Sequence, residues 1–178
     1  SLARAGYEVW GLDVRDSSEF GDFEPRMVDE GRLFSERVGV VISVVRDAAQ
    51  TRALCFSEQA LFTHENYPRT LVLSSTLSPR FVEELRLELP ADVILVDAPM
   101  SGAPFAARES SLSFMLGGDD ADIDALMPLF ETMGSHVFRL GALGAGMTAK
   151  VLNNYVATAS VVAVRRAYKR AQALNVDV

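Results

Sequence analysis

The sequence predicts an α/β fold, in which helices cover both faces of a doubly wound, largely parallel sheet. Continuous β-branched runs at 38–45 and 93–96 have the composition of strands buried on both faces. Segments with helical periodicity lie between such runs, so strands and helices alternate along the chain. The chain closes on a long helical pattern over 145–173. Together these observations favour a layered sheet that ends in a long helix.

Length and charge narrow the class of protein further. The chain has 178 residues, of which 49% are apolar and 23% charged, as is typical of a globular domain with a full core. Its 17 basic and 24 acidic side chains give a formal net charge of −7, which disfavours a nucleic-acid partner. No apolar stretch is long enough for a membrane span. A single cysteine, Cys55, excludes an internal disulfide, and we expect a reducing, cytoplasmic setting with no metal site.

Six strands and four helices are predicted, each from local signals. The strands are expected at 7–14, 38–45, 70–75, 92–97, 111–117 and 135–139, and the helices at 47–62, 78–88, 120–132 and 145–173. Ser78 followed by Pro79 is a helix-start signal. Asp119 and Asp120 precede another apolar-periodic run and suit a helix N-terminus. Residues 15–37 are read as loops around a short element.

The two ends of the chain predict a longer protein. Residues 2–6 read as the last turn of a helix that stops at Gly6, and the first strand follows at once. The long apolar helix at the other end needs partners to cover it. We therefore expect this sequence to be an internal piece of a longer chain.

Asp13 is the first candidate functional residue. An acidic side chain that ends a strand after a helix matches the second half of a dinucleotide-binding βαβ unit. The glycine-rich turn of such a unit lies roughly 20 residues earlier, which places it before Ser1. A carboxylate there accepts hydrogen bonds from ribose hydroxyls and repels a 2′-phosphate, which favours NAD over NADP. Arg15 keeps NADP possible, and the alternative is that Asp13 only ends a strand.

Two later segments carry a resemblance to a known family. Residues 97–103 read Asp-Ala-Pro-Met-Ser-Gly-Ala, and residues 144–154 read Gly-Ala-Gly-Met-Thr-Ala-Lys-Val-Leu-Asn-Asn. With the Ser-Ser-Thr-Leu-Ser-Pro segment at 74–79, they resemble the β-hydroxyacid dehydrogenases in order and spacing. That family includes 3-hydroxyisobutyrate dehydrogenases, tartronate semialdehyde reductases and 6-phosphogluconate dehydrogenases. The resemblance covers nearly the whole chain.

The chemistry of Lys150 and Asn154 can be read from the residues themselves. They lie four apart on one helix and so share a face. The positive end of the helix dipole disfavours an ammonium group and is expected to lower the pKa of Lys150, which suits proton exchange with a hydroxyl. An Asn pair inside an apolar helix is unfavourable, which points to a buried polar role.

The resemblance implies a role for each of these residues. It assigns catalysis to Lys150 and Asn154, substrate binding to Ser101, Gly102 and Ala103, and cofactor binding to Asp13, Val45 and Thr76. It implies a Rossmann-like domain over 1–142, with its first strand and glycine-rich turn missing. The long helix at 143–178 would begin an all-helical C-terminal domain. It also implies a homodimer or homotetramer that uses NAD, with NADP possible, on a small carboxylic acid.

The sequence departs from the family pattern at a few positions. Ala103 replaces a glycine of the substrate motif. Arg46 stands where the family often has proline, and the Arg46 side chain is expected to face either the bound molecules or solvent.

Three functions stay open at this point. The first is an oxidoreductase that transfers a hydride between NAD and a small β-hydroxy acid, with Lys150 as general acid/base. The others are a non-catalytic binding or assembly module and an imine reductase-like enzyme.

Overall fold

A computed structural model describes residues 1–177. The eight strands are β1 (Gly11–Leu12), β2 (Met27–Val28), β3 (Val40–Ser43), β4 (Thr70–Leu73), β5 (Ile94–Asp97), β6 (Met100–Ser101), β7 (Leu112–Leu116) and β8 (Gly134–Arg139). The six α-helices are α1 (Gly31–Ser35), α2 (Ala48–Phe56), α3 (Pro79–Glu88), α4 (Pro104–Arg108), α5 (Asp120–Met133) and α6 (Ala145–Ala173). Short 3₁₀ helices cover Ala3–Ala5 and Ser17–Arg26.

The strands form three sheets that follow one another in chain order. Strands β3, β4 and β5 pair in parallel, and β1 pairs in parallel with β2. In the third sheet β7 is antiparallel to β6 and parallel to β8. An isolated antiparallel bridge between Asp97 and Gly117 connects the end of β5 to the end of β7.

Helices cover both faces of the central sheet, which confirms the predicted doubly wound α/β class. Side chains on a strand point alternately to its two faces. Leu71 and Leu73 of β4 belong to one core cluster, together with residues of α3. Val72, between them, belongs to a second cluster with residues of α5. The α3 residues are Phe81, Val82 and Leu85, and the α5 residues are Ile123, Leu126 and Phe130.

Several predicted boundaries are confirmed, and their local signals explain them. Helix α3 begins at Pro79, and Asp119 caps α5 by accepting a hydrogen bond from the backbone N–H of Ala121 at 2.9 Å. Gly6 ends the first short helix in the left-handed conformation, with φ of 91°. Cys55 is fully buried, and burial raises the pKa of its thiol to about 12.

Other predictions are wrong in extent. The strand expected at 7–14 contracts to Gly11–Leu12, because its neighbour β2 offers only Met27 and Val28 for pairing. The helix expected at 47–62 ends at Phe56, before Ala60 takes a left-handed φ of 52°. Within 15–37, where β2 and α1 lie, only one unspecified short element was predicted, and neither β6 nor α4 was predicted.

Helix α6 is buried only at its beginning. Gly146, Met147 and Lys150 are buried, whereas almost every residue from Val151 onward is exposed. No helix within residues 1–177 combines the length and apolarity needed to cross a membrane. The domain boundary after residue 142 stays a prediction, and Val178, the last residue of the second predicted domain, lies outside the described residues.

Candidate active site

Lys150 and Ser101 meet at the junction of α6 and β6. The Lys150 Nζ donates a hydrogen bond to the Ser101 Oγ across 2.8 Å. Lys150 follows the first turn of α6, and Ser101 is the last residue of β6. The structure thus joins two residues that lie 49 positions apart and that the sequence motifs single out separately.

The environment of Lys150 alters its acidity. The residue is only 9% exposed, and no carboxylate within residues 1–177 forms an ion pair with its amine. Burial disfavours the charged ammonium form and lowers the pKa of Lys150 from its ordinary value of 10.5. The direction agrees with the expectation from the sequence, and loss of water around the amine is its cause.

The beginning of α6 is held by a carboxylate that the sequence reading did not assign. Asp97, at the end of β5, is fully buried. Its Oδ1 accepts a hydrogen bond from the backbone N–H of Gly144, and its Oδ2 accepts one from Met147, both at 2.7 Å. Burial raises the pKa of Asp97, and these hydrogen bonds oppose that rise. The available signal was an acidic residue at the end of a run of buried apolar residues, where a charge needs partners.

Gly102 and Ala103 lie beside Ser101 on the exposed rim of the site. Gly102 has a φ of 139°, and a Cβ there would fall 2.9 Å from the Ala106 Cβ. Conformation and packing therefore both require glycine at this position. Ala103 is the N-cap of the five-residue helix α4 and makes no side-chain capping bond.

Asn154 lies one turn after Lys150, on the exposed part of α6. The expectation that the Asn153–Asn154 pair is buried is therefore wrong for this chain. The helix at this point has left the sheet, and within residues 1–177 nothing covers it. Asn154 still shares a helix face with Lys150 by spacing.

A second group of predicted residues lines a groove at the carboxyl ends of β1 and β3. The groove has a volume of about 550 Å³ and contains Asp13, Arg15, Val45 and Arg46 in its lining. Asp13 accepts a hydrogen bond from the Arg15 backbone N–H at 3.0 Å and also pairs with its guanidinium group. This backbone hydrogen bond is the main cause that holds the pKa of Asp13 below its ordinary value. Arg46, which the sequence left open, lines the groove.

Thr76 lies at the same sheet edge, just beyond the end of β4. It is exposed between the buried residues Ser75 and Leu77. The Ser75 hydroxyl donates a hydrogen bond to the carbonyl of Val45, which ties the segments after β3 and β4 together. Since β3, β4 and β5 are parallel, their carboxyl ends bring Val45, Thr76 and Asp97 to one edge.

Comparison with known proteins decides the family. Residues 1–141 match the model of the NAD-binding domain of 6-phosphogluconate dehydrogenase, which is most of the chain. The chain belongs to this family. In open α/β sheets ligands bind at the carboxyl edge, and the predicted residues Val45 and Thr76 lie at that edge here.

Members of this family with named activities are similar over nearly the whole chain. The 2-hydroxy-3-oxopropionate reductase of Escherichia coli (strain K12) is 31% identical, covering 99% of this chain and 61% of the relative. The mitochondrial 3-hydroxyisobutyrate dehydrogenase of Mus musculus is 37% identical, covering 94% and 51%. A structure of Mycobacterium tuberculosis 3-hydroxyisobutyrate dehydrogenase with L-serine superposes with a TM-score of 0.85 at 25% identity, covering 99% and 61%. The chain therefore spans less than two thirds of the length of these relatives.

Proposed function

We propose that the protein is an oxidoreductase that transfers a hydride between NAD and a small β-hydroxy acid. The hydrogen bond between the Lys150 Nζ and the Ser101 Oγ carries this proposal. It places a buried amine beside a hydroxyl at the carboxyl edge of the sheet. The named dehydrogenase and reductase relatives support the same reaction class.

Lys150 acts as the general acid/base. Oxidation of an alcohol removes a hydride from carbon and a proton from oxygen, so a group beside that oxygen has to accept the proton. A neutral amine does so, and its lowered pKa raises the neutral fraction near physiological pH. In the reverse direction the ammonium group returns the proton to the carbonyl oxygen. Asn154, one turn further along, orients the same oxygen when the substrate reaches that face.

Ser101, Gly102 and Ala103 hold the substrate carboxylate. The Ser101 hydroxyl is a donor that is already oriented by Lys150, and the rim beside it is exposed. A carboxylate accepts hydrogen bonds from such a hydroxyl and from neighbouring backbone N–H groups. Candidate acids include 3-hydroxyisobutyrate, tartronate semialdehyde as the oxidised partner, and threonate-like acids.

The groove beside Asp13 fits the adenosine half of a dinucleotide. Its apolar lining at Leu12, Val45 and Leu54 suits a flat ring, and the Asp13 carboxylate is an acceptor for ribose hydroxyls. Val45 and Thr76 continue this edge toward Ser101. The bound nicotinamide supplies the hydride acceptor or donor for the substrate carbon. Arg15 and Arg46 line the same groove, so NADP is a possible second cofactor.

The test is turnover by the full-length protein with NAD or NADP and a panel of β-hydroxy acids, followed at the reduced-nicotinamide absorbance. Lys150→Met is expected to cut kcat by at least about 100-fold while leaving dinucleotide affinity unchanged, because general acid/base catalysis contributes on that order. Lys169→Met is the matched control, since Lys169 is the other lysine of this sequence and is exposed.

Three outcomes contradict the proposal. Normal turnover by Lys150→Met would show that the lysine is not the general acid/base. No turnover and no thermal shift with either dinucleotide favours the non-catalytic module. Reduction of imines in place of hydroxy acids indicates the third alternative.

We also expect the intact protein to be a cytoplasmic homodimer or homotetramer. Sedimentation measures the oligomeric state, and cell fractionation measures the location.

A further inference from the structure

The start of α6 lacks a cap from its own sequence. The N-cap residue is Gly144, in the left-handed conformation with φ of 90°, and it has no side chain to offer the first backbone N–H groups. Asp97 supplies the missing acceptor from a strand 47 positions earlier in the chain. One carboxylate thus serves both Gly144 and Met147, at the two ends of the first turn.

The same carboxylate is linked through short chain segments to both partners of the candidate active site. Ser101 follows Asp97 by four residues through β5 and β6, and Lys150 follows Met147 by three residues, close to one helical turn. The backbone N–H groups of Gly144 and Met147 bind Asp97, and the Lys150 amine binds Ser101, so residues 97–101 and 144–150 are joined to each other at both ends. A shift of α6 along its axis would lengthen all three hydrogen bonds.

The surrounding residues leave room for this carboxylate and little else. A Cβ on Gly117 would meet Asp97 Oδ1 and would also lie 2.8 Å from the Ala142 carbonyl oxygen. A Cβ on Gly146 would lie 2.9 Å from Asp97 Oδ2. Both glycines have a packing role that the sequence motifs alone did not show.

We propose that Asp97 is the positioning residue of the active site, which fixes α6 against β6 so that the Lys150 amine meets the Ser101 hydroxyl. This inference rests on the proposed function only in its effect on turnover. Asp97 acts through the backbone of α6 and makes no hydrogen bond to Lys150 or Ser101 within residues 1–177.

The sign of one measurement separates positioning from a simple charge effect. Removal of a nearby negative charge lowers the pKa of an amine, whereas release of an amine from burial raises it. If Asp97 holds Lys150 in its buried place, Asp97→Asn raises the pKa of Lys150 toward 10.5. An electrostatic role alone moves that pKa in the opposite direction.

The experiment uses the full-length protein labelled with ¹⁵N-lysine, in which the Lys150 Nζ signal is the one that Lys150→Met removes. Asp97→Asn is expected to raise the Lys150 pKa and to lower kcat about 100-fold, as for a misplaced catalytic group, with unchanged dinucleotide affinity. Asp119→Asn is the control, because the Asp119 carboxylate also accepts a hydrogen bond from a backbone N–H at the start of a helix, but the helix is α5 rather than α6. An Asp97→Asn variant with the wild-type Lys150 pKa and kcat overturns the proposal.

Should Asp97→Asn fail to fold, the wild-type protein decides the question. Acid titration of Asp97 is then followed at the amide protons of Gly144 and Met147 and at the Lys150 Nζ. The proposal expects all three signals to move together, and a Lys150 signal that ignores the other two overturns it. The lysine signal needs neither NAD nor substrate. Normal turnover by Lys150→Met would therefore refute the proposed function while leaving this positioning result intact.

Discussion

Replacing Gly146 with alanine tests the close approach of α6 to the sheet. Alanine at a helical position normally stabilises a protein, by at most about 1 kcal/mol over glycine. Here the added Cβ would lie 2.9 Å from Asp97 Oδ2 and closer still to the backbone carbonyl of Met115. A backbone atom cannot move aside as a flexible side chain can, so α6 has to shift away from β7.

Two costs oppose the gain in helix propensity. Overpacking a tight contact costs about 1–3 kcal/mol. Loss of a hydrogen bond to the buried Asp97 carboxylate costs about 1.5–3 kcal/mol more. With a propensity gain of about 1 kcal/mol subtracted, we expect Gly146→Ala to lower the free energy of unfolding by about 1.5–5 kcal/mol.

Urea unfolding, followed by circular dichroism, measures this change. Gly39→Ala is the matched control, because Gly39 is exposed and a Cβ there meets nothing within 4 Å. That variant is expected to stay within about 0.5 kcal/mol of the wild type. A Gly146→Ala protein as stable as the wild type would refute the packing of α6 described here.

Three further predictions concern Asp13, Lys150 and Cys55. Asp13→Ala is expected to weaken NAD binding about 10- to 100-fold, the equivalent of one charge-assisted hydrogen bond. The ratio of NAD affinity to NADP affinity should fall as well, and calorimetric titration with both dinucleotides measures the two affinities. Because the pKa of Lys150 is lowered in the folded protein, the unfolded chain binds the Lys150 proton more tightly. The free energy of unfolding of the wild type should therefore rise relative to that of Lys150→Met as the pH increases toward 10.5. A difference between the two proteins that stays constant with pH would contradict this prediction. Because Cys55 is buried with a thiol pKa of about 12, it should react with a thiol reagent only after unfolding, and rapid labelling of the native protein would be inconsistent with its place in the core.

The elements that the sequence predicts well are those with signals in their own residues. The start of α3 follows from Ser78 and Pro79, and the start of α5 follows from Asp119. The buried strands β3 and β5 follow from their β-branched composition. Strand β1 is shorter than predicted because its length depends on pairing with β2, which no local signal indicates.

The candidate site divides in the same way. Lys150 and Ser101 were identified from motifs, and the structure brings them into contact. The role of Asp97 was missed because its hydrogen-bond partners lie 47 and 50 positions away in the sequence. Contacts between residues so far apart form only when α6 packs on the sheet. The exposure of Asn154 was not predicted, because an apolar helical pattern does not show which part of the helix packs against the rest of the domain.

The most direct test is a crystal structure of the full-length protein with NAD and the β-hydroxy acid that it oxidises fastest. The account predicts the substrate carboxylate at Ser101 and Gly102, and the substrate hydroxyl within about 2.6–3.2 Å of the Lys150 Nζ. A substrate hydroxyl bound away from Lys150, with its proton accepted by another group, would contradict the central claim.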